Sequence, residues 1–211
     1  MKAYFVSGIG TDVGKTLASA VLCQAWGADY WKPVQSGGLE HSDSMEVRRV
    51  VSNPGCKFHA ESYRLPYPIS PDASAVRAGI TIELARFILP ETANTLIVEG
   101  AGGLLVPLNE SLLVVDLIQH LRLPVILVSR HYLGSINHTL LSLEVLFNRG
   151  IPVAGIVFNG AEHPETEASI MHFAGGVPVL GRLPVCEQVD AAVVARLAQG
   201  DAIRRPYESG A

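Results

Sequence analysis

Apolar positions along this chain follow two patterns. Short β-branched runs bounded by turn residues stand at 3–7 (AYFVS), 95–99 (TLIVE), 124–129 (PVILVS) and 153–159 (VAGIVFN). Runs of this length without polar alternation predict strands buried on both faces. Residues 28–32 and 177–183 carry a weaker form of the same signal. Between them the apolar spacing becomes helical. Residues 15–26 place Leu17, Ala20 and Val21 on successive turns, and 136–147 repeat the pattern with Leu140, Leu143 and Leu146. Further helices are predicted over 43–51, 82–89, 112–121, 165–173 and 190–197.

Strands alternating with helices predict an α/β fold in three layers, a mostly parallel central sheet flanked by helices on both faces. In such sheets ligands bind at the carboxyl ends of the strands, so the loops to watch follow each run. No repeat, linker or low-complexity stretch divides the chain, and residues 1–211 read as a single domain. From about residue 200 the polar RRPYESGA stretch is expected to fray.

Composition narrows the function classes. With 48% hydrophobic and 17% charged residues the chain is not a disordered one. A net charge of −4 argues against a nucleic-acid surface, which needs clustered Lys and Arg. No apolar run reaches the roughly 18 residues of a membrane span, and the first residues show no signal-peptide pattern. Three scattered cysteines, Cys23, Cys56 and Cys186, have no metal-ligand spacing and fit a reduced, cytoplasmic protein.

The stretch YFVSGIGTDVGKT, residues 4–16, stands where a phosphate loop belongs, after the first strand and before the first helix. Glycines let successive backbone N–H groups turn toward one anion. The helix N-terminus behind them favours an anion by about 0.3–2 kcal/mol. In this motif Lys15 reaches the β- and γ-phosphates and the Thr16 hydroxyl serves Mg²⁺. The spacing departs from the common one: five residues, not four, separate Gly8 from Gly14.

Acidic partners are available. Asp43 (in HSDS) and Glu99, at the end of an apolar strand, complete with Thr16 a set that suits Mg²⁺ bound to phosphates. From the residues alone, Asp43 also reads as helix-capping chemistry and Glu99 also as half of a salt bridge. Asn137 reads equally as a helix cap, and Asn159 also reads as a turn residue.

GIGTDVGKT, YWKPVQSGG (30–38), VEGAGG (98–103) and YLGSINH (132–138) together resemble the dethiobiotin synthetases, ATP-using enzymes of P-loop NTPase-like fold. The resemblance runs from residue 4 to about 190. It implies that Asp12, Val13, Gly14, Lys15, Thr16 and Leu17 hold ATP, together with Asp43, Glu99, Gly100, Ala101 and Gly102. Asn159, Gly160, Pro184, Val185 and Cys186 would surround the base. Lys15 and Lys32 are the implied catalytic residues, and Thr16, Asp43 and Glu99 the implied Mg²⁺ ligands. Thr11 and Ser36 would touch the diamine substrate. Gly134, Ser135, Ile136 and Asn137, from the partner subunit of a homodimer, would hold its carboxylate. The implied reaction closes a ureido ring on 7,8-diaminopelargonate with CO₂ and ATP, in biotin biosynthesis.

Two departures stand out: Tyr132 where the family often has lysine, and Asp72 where histidine is usual. Partition and septum-site ATPases, a related branch, carry a second lysine five positions before the loop lysine, and here that position is Gly10. The chain also lacks the Asn-Lys-x-Asp pattern of guanine readers, which favours ATP.

Overall fold

A computed structural model describes residues 2–199 and 203–206. Its central sheet has seven strands, all paired in parallel: β1 (Ala3–Gly8), β2 (Asp29–Trp31), β4 (Phe58–His59), β6 (Leu96–Gly103), β7 (Val125–Arg130), β8 (Val153–Asn159) and β9 (Val179–Leu183), in the order β4-β2-β6-β1-β7-β8-β9. A second, two-stranded parallel sheet joins β3 (Val34–Ser36) to β5 (Tyr63–Leu65). Sequence order reverses around β1, so the loops after β1, β2 and β6 open at one crevice.

Period-two alternation sends each strand's side chains to two separate cores. Tyr4, Val6, Tyr30, Ile97 and Val128 pack toward α1 (Lys15–Trp26), α2 (Asp43–Val50) and α7 (Ala191–Leu197). Phe5, Trp31, Val98, Leu127 and Phe158 pack on the other face, where α4 (Val114–Leu121), α5 (Ser135–Asn148) and α6 (Pro164–Phe173) lie. Each fully buried Val, Leu or Phe contributes roughly 1.5–3 kcal/mol, and burial on both faces accounts for the absence of polar alternation in the strands. Among the described residues no helix is long and apolar enough to cross a membrane.

Three features differ from the sequence-based expectations. Residues 82–89 form no α-helix, only a short 3₁₀ turn at Leu84–Arg86. Ile82 and Phe87 are both buried at a spacing of five, which one helical stripe does not provide. Pro90 further disfavours helix at Leu89. The Ile82 carbonyl instead accepts from Asn109 and the Glu83 N–H donates to the Tyr63 hydroxyl. A helix absent from the pattern analysis, α3 (Pro71–Ala78), carries its signal in caps rather than periodicity, with Pro71 in the first turn and Gly79 just past the end. The stretch expected to fray is anchored where it is described: Ile203 is buried and bridges to Gly181, and Arg204 N–H donates to the Leu180 carbonyl. The rest of 200–211 lies outside the described residues.

Candidate active site

The loop between β1 and α1 is braced from two neighbouring strands. Asn159, at the end of β8, donates from Nδ2 to the Val13 carbonyl at 2.9 Å, and Arg130, at the end of β7, donates to the Asp12 carbonyl at 3.1 Å. Asp12 and Gly14 both take positive φ, 56° and 95°. A Cβ on Gly14 would also lie 2.1 Å from Asn159 Nδ2, so backbone angle and close packing both require glycine there. Lys15 folds back over the loop and donates to the Gly10 carbonyl at 2.9 Å. Burial pushes its pKa below the ordinary lysine value; Glu99 opposes that shift and Lys32 adds to it.

Sheet register builds the facing wall. Tyr30 pairs with Ile97 and Trp31 with Val98, so the next residue, Lys32, falls beside Glu99. Lys32 Nζ lies 3.1 Å from Glu99 Oε1 and 2.6 Å from Asp43 Oδ2. Burial works against the Lys32 charge, but the two carboxylates outweigh it and hold its pKa above the ordinary value. For Asp43, burial alone would raise the pKa; the Lys32 ammonium reverses this and leaves it lowered. Thr16 Oγ1 stands 3.0 Å from Glu99 Oε1 and 3.1 Å from Asp43 Oδ1, joining the loop to this wall.

The alternative readings of these residues now resolve. Ser42 is the cap of α2, accepting from Met45 N–H, which leaves the Asp43 carboxylate facing Lys32 and Thr16. Glu99 does form a salt bridge, and its partner is itself a predicted site residue. The cap of α5 is Gly134, and Asn137 is an exposed residue inside the first turn. Gly100 is glycine for packing, since a Cβ there would meet the Phe5 ring at 2.6 Å.

A cleft of about 860 Å³ gathers Thr11, Asp12, Gly14, Lys15, Thr16, Lys32, Ser36, Asp43, Glu99, Ala101 and Gly102. Ser36 donates to the carbonyls of Tyr67 and Ile69, tying the 67–71 loop to the rim. Val13, Leu17 and Gly100 are not among the residues that line the cleft. Asn159 and Gly160 stand on the far side of the phosphate loop, where Gly160 N–H donates to the Leu183 carbonyl just before Pro184, Val185 and Cys186. Gly134, Ser135, Ile136 and Asn137 line a separate hollow of about 670 Å³. The structure therefore brings the loop, Lys32 and both carboxylates together, and leaves the α5 start apart within one chain.

Two contributors carried no sequence signal. Tyr30, wholly buried, donates from its hydroxyl to Glu99 Oε2 at 2.9 Å. Gln35 accepts from the Asp43 N–H at 3.2 Å and donates to the Gly37 carbonyl, fixing the start of α2. Tyr30 sits two residues before Lys32 on the same strand face, a relation visible only once the strand is assigned.

As a cation site, Thr16, Asp43 and Glu99 offer only hard oxygen ligands. Among the described residues no group of three or more His, Cys, Asp or Glu forms a complete cage. Two carboxylates and a hydroxyl suit a cation that takes its remaining ligands from phosphate and water, as Mg²⁺ does.

The sequence matches the AAA domain family over residues 2–193. It is 51% identical to the ATP-dependent dethiobiotin synthetase of Christiangramia forsetii, over 94% of this chain and 95% of that protein. The enzyme of the same name from Paramagnetospirillum magneticum is 45% identical, over 93% and 95%. Among solved structures, a ParA family ATPase from Chlorobium tepidum superposes with a TM-score of 0.54 at 16% identity, covering 93% of this chain and 98% of that one. That last likeness concerns the fold alone.

Proposed function

Because this chain belongs to the dethiobiotin synthetase family, we propose that it closes the ureido ring of dethiobiotin from 7,8-diaminopelargonate, CO₂ and ATP at the Lys15–Lys32 cleft. The chain is an ATP-dependent ligase of biotin biosynthesis. In the proposed course one substrate amine adds to CO₂ and loses a proton to become a carbamate, whose oxygen attacks the γ-phosphorus, breaks its bond to the β,γ-bridging oxygen and expels ADP, to give a carbamic–phosphoric anhydride. The second amine then attacks that carbonyl carbon, and phosphate leaves.

Each step concentrates negative charge in one small volume, and such chemistry chiefly needs positioning and neutralisation. The observation that carries the reading is the meeting of Lys32, Asp43 and Glu99 with Thr16 of the phosphate loop. Lys32 is held charged where carbamate and γ-phosphate would meet. Lys15, now on the Gly10 carbonyl, is free to exchange that acceptor for phosphate oxygens. Mg²⁺ held by Thr16, Asp43 and Glu99 would neutralise phosphate charge. Asn159 uses one Nδ2 hydrogen on the Val13 carbonyl and keeps Oδ1 as an acceptor for an adenine amino group.

The active form we propose is a cytoplasmic homodimer of single-domain subunits. Leu133, Tyr132, Ile136 and Leu141 are exposed around the start of α5, with Leu105 beside Leu141 along a second groove. The α5 N-terminus suits a carboxylate through its first-turn N–H groups beyond Ser135, whose own N–H donates to the Tyr132 carbonyl. Ser135 Oγ and His131 Nδ1 are buried beside it with no hydrogen-bond partner among the described residues. A partner copy would bring this hollow to the cleft that one chain leaves without it.

The test is product formation with purified protein, ATP, Mg²⁺, bicarbonate and the diamine. ADP release that requires both the diamine and bicarbonate is expected; release indifferent to either one overturns the reading.

A further inference from the structure

The geometry points to Tyr30 as a positioning residue that restricts Glu99 to one-oxygen binding of its cation, and so selects Mg²⁺ over Ca²⁺. This rests on the metal reading above. Glu99 divides its two oxygens sharply. Oε1 faces Thr16 and Lys32, at 3.0 and 3.1 Å, on the side of the cleft. Oε2 faces away from them and accepts the Tyr30 hydroxyl at 2.9 Å. An ionised carboxylate only accepts, so the phenol must be the donor.

Tyr30 has little freedom to let go. Its ring is wholly buried and packs against Phe58, with centroids 6.5 Å apart. Its backbone lies in β2, between β4 and β6, and its N–H donates to the Lys57 carbonyl at 2.8 Å. Swinging Oε2 round to a cation would leave a buried hydroxyl unpaired, which is costly. Glu99 is itself 1% exposed, so water does not replace the lost partner.

The consequence is a matter of coordination chemistry. Mg²⁺ requires a near-octahedral shell and takes carboxylates through single oxygens, whereas Ca²⁺ accepts six to eight ligands and readily takes a carboxylate through both. A glutamate pinned at one oxygen supports the first and handicaps the second. Outer-shell partners of metal ligands commonly change metal affinity about 10- to 100-fold when removed.

The test uses full-length protein with a non-hydrolysable ATP analogue. Bound Mn²⁺ is followed by electron paramagnetic resonance while Mg²⁺ or Ca²⁺ displaces it. In Tyr30→Phe the ratio of Ca²⁺ to Mg²⁺ affinity should rise about 10-fold. In a Glu99→Gln background the same substitution should change that ratio by less than about twofold, because coupled residues are not additive. An unchanged ratio in Tyr30→Phe, with displaceable Mn²⁺ in both proteins, overturns the role of Tyr30 alone. Absence of displaceable Mn²⁺ from the unmodified protein overturns the metal site, and this role with it. The unmodified protein supplies an independent arm should Tyr30→Phe fold poorly. The Glu99 carboxylate stretch, isolated by infrared difference against Glu99→Gln, should show one-oxygen splitting with Mg²⁺; two-oxygen splitting overturns the proposal.

Discussion

Lys32 Nζ and Glu99 Oε1 lie 3.1 Å apart, both groups almost wholly buried and 67 positions distant in sequence. A buried ammonium and carboxylate tolerate this only because each neutralises the other, with Asp43 as a third member. The arrangement holds a charged ammonium fixed in the wall of the cleft.

Removing that charge should therefore cost catalysis more than binding. Lys32→Ala or Lys15→Ala should each lose about 2–4 kcal/mol of transition-state stabilisation, the cost of losing one preorganised oxyanion donor. The loss should fall mainly on kcat, measured by ADP release at saturating ATP and diamine. Full turnover by folded Lys32→Ala protein would take Lys32 out of the mechanism.

The same cluster predicts a signed pH dependence of stability. Asp43 has a folded pKa below its ordinary value of 3.8, so its pairing contributes fully above that value. Below it the unfolded chain takes up a proton that the folded chain refuses, and the contribution fades toward the lowered folded pKa. Lys32 behaves oppositely: its contribution is full below the ordinary 10.5 and fades as pH rises toward the raised folded value. Denaturant unfolding of the native chain and of Asp43→Asn should show a stability difference that is flat between these limits and shrinks in acid. A difference that stays constant from neutral pH down to pH 2 contradicts the pairing.

Magnesium dependence provides a separate check on the carboxylates. Substituting Asp43 and Glu99 together, by Asn and Gln, should abolish the rise of turnover with Mg²⁺, and should also lower stability because the buried Lys32 loses both its partners. Melting curves verify the fold, and a titration of activity against Mg²⁺ verifies the rest. A magnesium response like that of the native chain would show that neither side chain serves the cation.

Much of this site was legible in the sequence because its parts are local. The loop glycines, Lys15 and Thr16 sit together between a predicted strand and a predicted helix, and Lys32 and Glu99 each end an apolar run. Parallel register then does the rest, since pairing Tyr30 with Ile97 and Trp31 with Val98 sets Lys32 beside Glu99. What escaped lies in partner choice rather than pattern. Tyr30 looks like any aromatic strand residue until Glu99 appears diagonally across from it. Residues 82–89 have a helix-like pattern, yet core contacts of Ile82 and Phe87 hold them in irregular backbone with one 3₁₀ turn. In α3 the signal sat at the ends, Pro71 and Gly79, where a search for periodicity does not look.

The separation of the α5 start from the cleft yields the final prediction. If a partner subunit supplies Gly134 to Asn137, two damaged chains should repair each other. Asn137→Asp places a negative charge where the substrate carboxylate would dock, and an acidic residue in a helix's first turn does not threaten folding. Lys32→Ala removes one of the cleft's two buried lysines from the other half of the site. Each variant alone should be nearly inactive. After denaturing and refolding an equal mixture, half of the dimers contain one chain of each kind. Each such dimer has one site with both lesions and one with neither, so activity should return to about a quarter of the native level. A site built within one chain predicts no recovery, because every cleft then carries a lesion. Light scattering on the same samples decides whether dimers are present, and dimers without recovery would refute the shared site.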